Sequence, residues 1–231
     1  GSEVPNEYQV VAEVIERIIV GGDCGAEIIA GPRASLADSD IDLIDVGGIL
    51  IGDITASHGA IGTIDAAEYI GEPLNPILIQ AKLGIASVSA DAFDGSLYAV
   101  PPSGSVGFIN RLETREGDFT GDIRASGLAD FASVANPGIF IHGSCYAAWA
   151  IGTIDLPIVI SHDLVGPFSF YELHSDGAIT IEGTIEDFGS VWCYGGISGI
   201  LTAKGGLADG AFMNLAALSL GGSAGQVVLG P

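Results

Sequence analysis

Residues 41–56 read IDLIDVGGILIGDITA, and the cassette recurs as IERIIVGGDCGAEIIA at 15–30 and LAALSLGGSAGQVVLG at 215–230. All three carry apolar residues at positions 1, 4 and 6, a Gly-Gly at 7 and 8, a further Gly at 11 or 12, and an aliphatic at 14. Residues 188–203, FGSVWCYGGISGILTA, fit with the glycine pair slipped by one, and residues 109–125, INRLETREGDFTGDIRA, fit with one insertion. The hexapeptide AIGTID stands twice, at 60–65 and at 150–155. A fixed period of this kind decides the architecture before any element is assigned.

Shorter matches begin at Ile61, Ile85, Phe131, Ile151 and Phe170, completing a series of ten starts. The pattern predicts an all-β parallel β-helix, or β-solenoid, of about ten coils of roughly 22 residues, with equivalent positions stacked about 4.8 Å apart. Position 4 then becomes an inward aliphatic ladder of Ile18, Ile44, Ile64, Val88, Leu112, Val134, Ile154, Leu173, Val191 and Leu218. Position 5 becomes an outward stripe of Ile19, Asp45, Asp65, Ser89, Glu113, Ala135, Asp155, His174, Trp192 and Ser219. The three-residue step from position 1 to position 4 breaks strict alternation, so a bend is expected between them. The competing architecture is a β-sandwich with glycine-rich hairpins. It would draw its turns from Asp94-Gly95, Asp176-Gly177 and Asp209-Gly210, fewer than such a fold needs. Residues 1–14 read as an N-terminal tag, with Gly1-Ser2 a cloning scar, followed by an edge or cap segment. Residues 15–231 read as a single β-helix domain.

Asp and Glu number 29 against 7 Lys and Arg, a formal charge of -22. Such a field repels nucleic-acid backbones and anionic lipid surfaces, so neither is an expected partner. No apolar run approaches the length of a membrane span, which argues against membrane insertion. Cys24, Cys145 and Cys193 fall in the first, sixth and ninth coils of this alignment. That spacing is too wide for a disulfide and predicts three free thiols.

Three clusters merit attention as chemistry. Asp155, His174 and Trp192 adjoin along the outward stripe, a mixture of carboxylate, imidazole and aromatic plane that suits a carbohydrate-binding groove. Asp38, Asp40, Asp42, Asp45 and Asp65 form a candidate metal site: ADSDIDLID alternates carboxylates like a calcium loop, but lacks the glycine of the EF-hand pattern. Calcium is therefore the one ion considered, and no cofactor is required. Arg111, Arg115 and Arg124 are matched by Glu113, Asp118 and Asp122, which points to local ion pairing. His142-Gly143-Ser144-Cys145 lacks the glycines of a nucleophile elbow, and no catalytic residue is assigned.

The Gly-Gly cassettes and the AIGTID pair resemble the large secreted bacterial β-strand-repeat proteins, whose coils read GG-xxx-G-x-I-x-A followed by IG-x-I-x-A. The resemblance spans roughly residues 15–230. It implies a fragment of a larger extracellular or cell-surface protein, and a repeat with no reaction centre points to a noncatalytic structural or adhesive role. Its partners would be a neutral glycan or another surface component, with end-to-end self-association through solenoid ends. The alternative is a carbohydrate-active β-helix, binding a glycan or acting as a polysaccharide lyase or glycoside hydrolase. Segments 72–80 and 101–105 depart from the repeat, and such loops are where specificity is expected.

Overall fold

The computed structural model describes residues 8–31, 40–99, 107–130, 134–186, 189–215 and 225–230. All regular elements among them are strands, stacked in parallel as coils of about 24 residues, so the chain is a β-solenoid rather than a sandwich. Eight full turns separate Ile15 from Ile197 along one inward ladder, Ile15, Ile41, Ile61, Ile85, Ile109, Leu128, Ile154, Leu173 and Ile197.

Two further ladders close the core. One is Ile18, Ile44, Ile64, Val88, Leu112, Ile139, Ile158, Ile179, Leu201 and Val227. The other is Cys24, Leu50, Ile70, Phe93, Phe119, Cys145, Leu164, Ile185 and Leu207, stacked through single bridges and strand ends. On the remaining wall, Ile28, Ile54, Ile79, Leu97, Ile123, Trp149, Phe168 and Val191 point inward. β-branched residues suit these pleated, fully buried walls. In the later coils aromatics take over: Phe93 stacks on Phe119 with ring centroids 4.8 Å apart, and Trp149 meets Phe168 edge-on at 4.9 Å.

The first five rungs of the position-4 ladder stack as the sequence predicts. The register then changes. Val134 gives way to Ile139, and Ile154, Leu173 and Val191 move to other walls, while Leu218 and Ser219 lie outside the described residues. The cause is a corner loop that changes sides. In the early coils the chain turns between the alanine column (Ala30, Ala56, Ala81, Ala99) and the position-1 ladder. The strands Phe119–Leu128, Ala148–Ile154 and Pro167–Leu173 run straight through that corner, and in the last two of these coils the turn comes after the ladder, at residues 155–156 and 174–177.

Where the corner is straightened, the alanine column passes from Ala125 to Ile151, Phe170, Cys193 and Leu215. Leu215 therefore does not open a coil as the cassette reading expects. Cys193 lies two rungs beyond Cys145 rather than three, on a different wall. All three cysteines remain free and buried, and burial pushes the Cys145 thiol up to about 12.

Candidate functional site

In the late coils the displaced corner loop carries Asp155 and, one rung above it, His174. Nδ1 of His174 lies 2.5 Å from Oδ1 of Asp155, and Nε2 lies 3.2 Å from Oε2 of Glu172. Glu172 precedes His174 by two residues, so strand alternation places both side chains on the same side. The two carboxylates, Glu172 first and Asp155 second, hold the imidazole above its ordinary titration range against the opposing effect of burial. A protonated His174 donates to both neighbours.

Trp192 does not join this pair directly. It projects outward from the strand Ser190–Cys193, in register with Ser169 and Asn214. Its ring stacks on Tyr194 with centroids 6.3 Å apart and meets Phe212 edge-on at 5.0 Å. Tyr194 is 61% exposed, and Tyr171 and Phe212 are also exposed. Gly195 joins the two groups. A methyl group there would sit 2.7 Å from Cγ of Glu172 and 2.6 Å from the carbonyl oxygen of Tyr171. The aromatic plate thus borders the carboxylate–imidazole cluster. Sequence reasoning missed Glu172, Tyr194 and Phe212, although the alternations E-x-H at 172–174 and W-x-Y at 192–194 carry the signal.

The acidic candidates go to different places. Asp38 lies outside the described residues. Asp40, only 3% exposed, accepts hydrogen bonds from the backbone N–H groups of His58 (2.9 Å) and Gly59 (2.7 Å), tying one corner loop to the next. Asp42 is exposed on the strand Ile41–Val46. Asp45 and Asp65 are lateral neighbours, as the repeat predicts. Asp65 accepts from the hydroxyl of Ser89 at 2.6 Å and from the Arg115 guanidinium at 2.8 Å, and Arg115 also pairs with Asp91 at 2.9 Å. An arginine from two coils away therefore supplies the positive charge beside Asp65. Among the described residues, no group of three or more His, Cys, Asp or Glu is placed to hold a metal ion.

The other two arginines pair locally, Arg111 with Glu113 at 2.6 Å and Arg124 with Asp122 at 3.5 Å. Arg111 also donates to the carbonyls of Ala135 and Asn136, which fastens the loop after Leu128.

Three aspartates share one geometry. Oδ1 of Asp23, Asp118 and Asp163 accepts from the backbone N–H of Ile49, Ser144 and Thr184 in the next coil, at 3.0, 2.7 and 2.8 Å. The residue one step earlier in that next coil is Gly48, Gly143 or Gly183, and a methyl group on any of them would collide with the same carboxylate oxygen. Part of the glycine content is therefore fixed by aspartates in the preceding coil. Compared with protein-family models, curated proteins and solved structures, the chain matches none.

Proposed function

We propose that this chain is a noncatalytic structural or adhesive β-helix module of a secreted or cell-surface protein, of the kind that the bacterial β-strand-repeat resemblance implies. The observation that carries this reading is how its charged side chains are used. Asp23, Asp40, Asp118 and Asp163 bind backbone N–H groups of neighbouring coils, and Arg115 ties together Asp65 and Asp91. These residues serve coil-to-coil attachment, as a rigid scaffold of stacked coils requires. The acidic surface suits an extracellular setting, where counterions screen self-repulsion.

A second reading, glycan binding, is favoured by the plate of half-buried Trp192 with exposed Tyr194 and Phe212 beside Glu172, His174 and Asp155. Sugar ring faces stack on such aromatic planes while hydroxyls bond to the carboxylates. It is compatible with adhesion and specifies what would be held. The test is a panel of neutral polysaccharides, with retention and reducing-end release measured separately. The adhesive reading expects retention that Trp192→Ala and Tyr194→Ala abolish, without release of reducing ends. Release that disappears in Asp155→Asn or Glu172→Gln would make the protein a glycoside-cleaving enzyme instead.

A further inference from the structure

On the opposite side of the repeat's regularity stands the third coil. The residue just before the Cys24–Leu207 ladder is Asp23, Asp118, Ser144, Asp163 or Thr184 in five coils and Gly206 at the last rung, but Ile49, Tyr69 and Ala92 in three consecutive ones. Apolar side chains thus replace a polar outward column over one short stretch. In the same coil the spacing between the ladder residue and the next inward wall changes. It is four residues in six coils, as from Leu50 to Ile54, six from Ile185 to Val191 and from Leu207 to Met213, and longest, at nine, from Ile70 to Ile79.

The extra residues form a small projection, closed by a mutual pair of backbone bonds between Glu72 and Asn75 (3.3 and 2.8 Å). Gly71 starts it with φ +75°, and any side chain there would strike the carbonyl of Asp94. The projection overhangs a cleft of about 580 Å³, walled by Tyr69, Ile70, Pro73, Leu74 and Phe93. That volume suits one small molecule with a ring. Leu74 is 99% exposed and Tyr69 is 50% exposed. Two large apolar side chains are thereby held in water at the rim of an insertion, where the remainder of the repeat places polar groups.

Apart from Tyr69, the ionisable residues at the cleft are Glu72 and Asp94, set in an otherwise apolar lining. Burial pushes the Asp94 carboxyl upward, as expected of an acid with an apolar surround. The net charge of -22 adds a field of the same sign. We propose that this cleft binds a small apolar ligand bearing a cationic amine, its ring between Tyr69, Pro73 and Leu74 and its ammonium group at Glu72 and Asp94. The cleft lies in a different coil from the Trp192 plate, so ligand binding there is separable from adhesion and glycan binding.

The experiment is amide chemical-shift mapping of the whole labelled chain with three probes of one shape: tryptamine, neutral 3-methylindole and indole-3-propionate. Saturable tryptamine shifts at Tyr69, Leu74 and Asp94, with little response to the anionic probe, are expected. Leu74→Ser and Tyr69→Ala alter exposed side chains and should weaken tryptamine by about tenfold or more. Asp94→Asn should weaken tryptamine while leaving 3-methylindole unchanged. Equal response to all three probes, shifts centred elsewhere, or no saturable binding would overturn the proposal. So would dimerisation that Leu74→Ser abolishes, which would make a second copy of the chain the occupant.

Discussion

Asp23 and Gly48 are 25 residues apart in the chain, yet they constrain one another through a single carboxylate oxygen. Oδ1 of Asp23 accepts from Ile49 N–H at 3.0 Å and occupies the space that a side chain at position 48 would need. Asp23→Ala should cost about 1 kcal/mol for the lost bond, and Gly48→Ala should cost more by forcing the carboxylate aside. The double variant should be less destabilised than the sum, with a coupling of about 1 kcal/mol or more in chemical denaturation. Strict additivity would show that the glycine answers to its backbone neighbours alone. His174 gives a second test. Its folded-state titration lies above the ordinary 6.5, held there by Glu172 and Asp155. A raised histidine contributes stability that is fully present below the unfolded value and is lost as pH rises through the folded one. Wild type should therefore exceed His174→Gln in stability by about 0.3–1 kcal/mol at mildly acidic pH, where the histidine is protonated and carboxylates are still ionised, after solvent screening. The advantage should vanish as pH climbs past the raised value. A difference that does not change with pH would mean that folding leaves the His174 titration unshifted. The Asp155–His174 contact was legible from the repeat, because both follow an aliphatic three residues into a shared pattern. Trp192 was misplaced because its distance from His174 spans a coil with an unmarked change of register.

At the scale of the strand and its corner, the two copies of AIGTID explain where legibility ended. Ile61 and Ile64 occupy the position-1 and position-4 ladders, whereas Ile151 and Ile154 occupy the alanine column and the position-1 ladder. Both copies place two aliphatics inward three residues apart. The glycine between them lies too close to a carbonyl of the coil below, Asp42 or Ser126, for any side chain. The hexapeptide therefore encodes a continuous strand that turns two aliphatics inward three residues apart, and a solenoid with several walls can use it at more than one place. Local sequence fixes that inward pair, while only the stacking of neighbouring coils fixes which ladders it joins. The consequence is measurable at the sixth rung. Ile139 is buried on the ladder and Val134 is only half-buried before it. Ile139→Ala should cost about 2–5 kcal/mol, and Val134→Ala should cost well under half as much. Equal costs would restore the uninterrupted sequence register.

Over the whole molecule, parallel stacking, the glycine-rich turns and three unbridged cysteines were all readable from periodicity, because a solenoid repeats its local physics coil after coil. The features that individualise this chain were not, because each interrupts that period. They are the corner that changes sides after Leu128, the Gly71–Pro76 projection and the aromatic plate around Trp192. One outward column climbs the molecule by a constant step. That column runs Asp45, Asp65, Ser89, Glu113, Phe140, Val159, Thr180 and Thr202. Spin labels at residue 45 paired in turn with residue 159, 180 or 202, in a background with the native cysteines replaced, measure that step by pulsed dipolar spectroscopy. Stacking at about 4.8 Å per coil predicts mean backbone separations of about 24, 29 and 34 Å, a rising arithmetic series. Separations that fail to rise with coil number, above all a pair 45–202 no longer than 45–159, would contradict the solenoid.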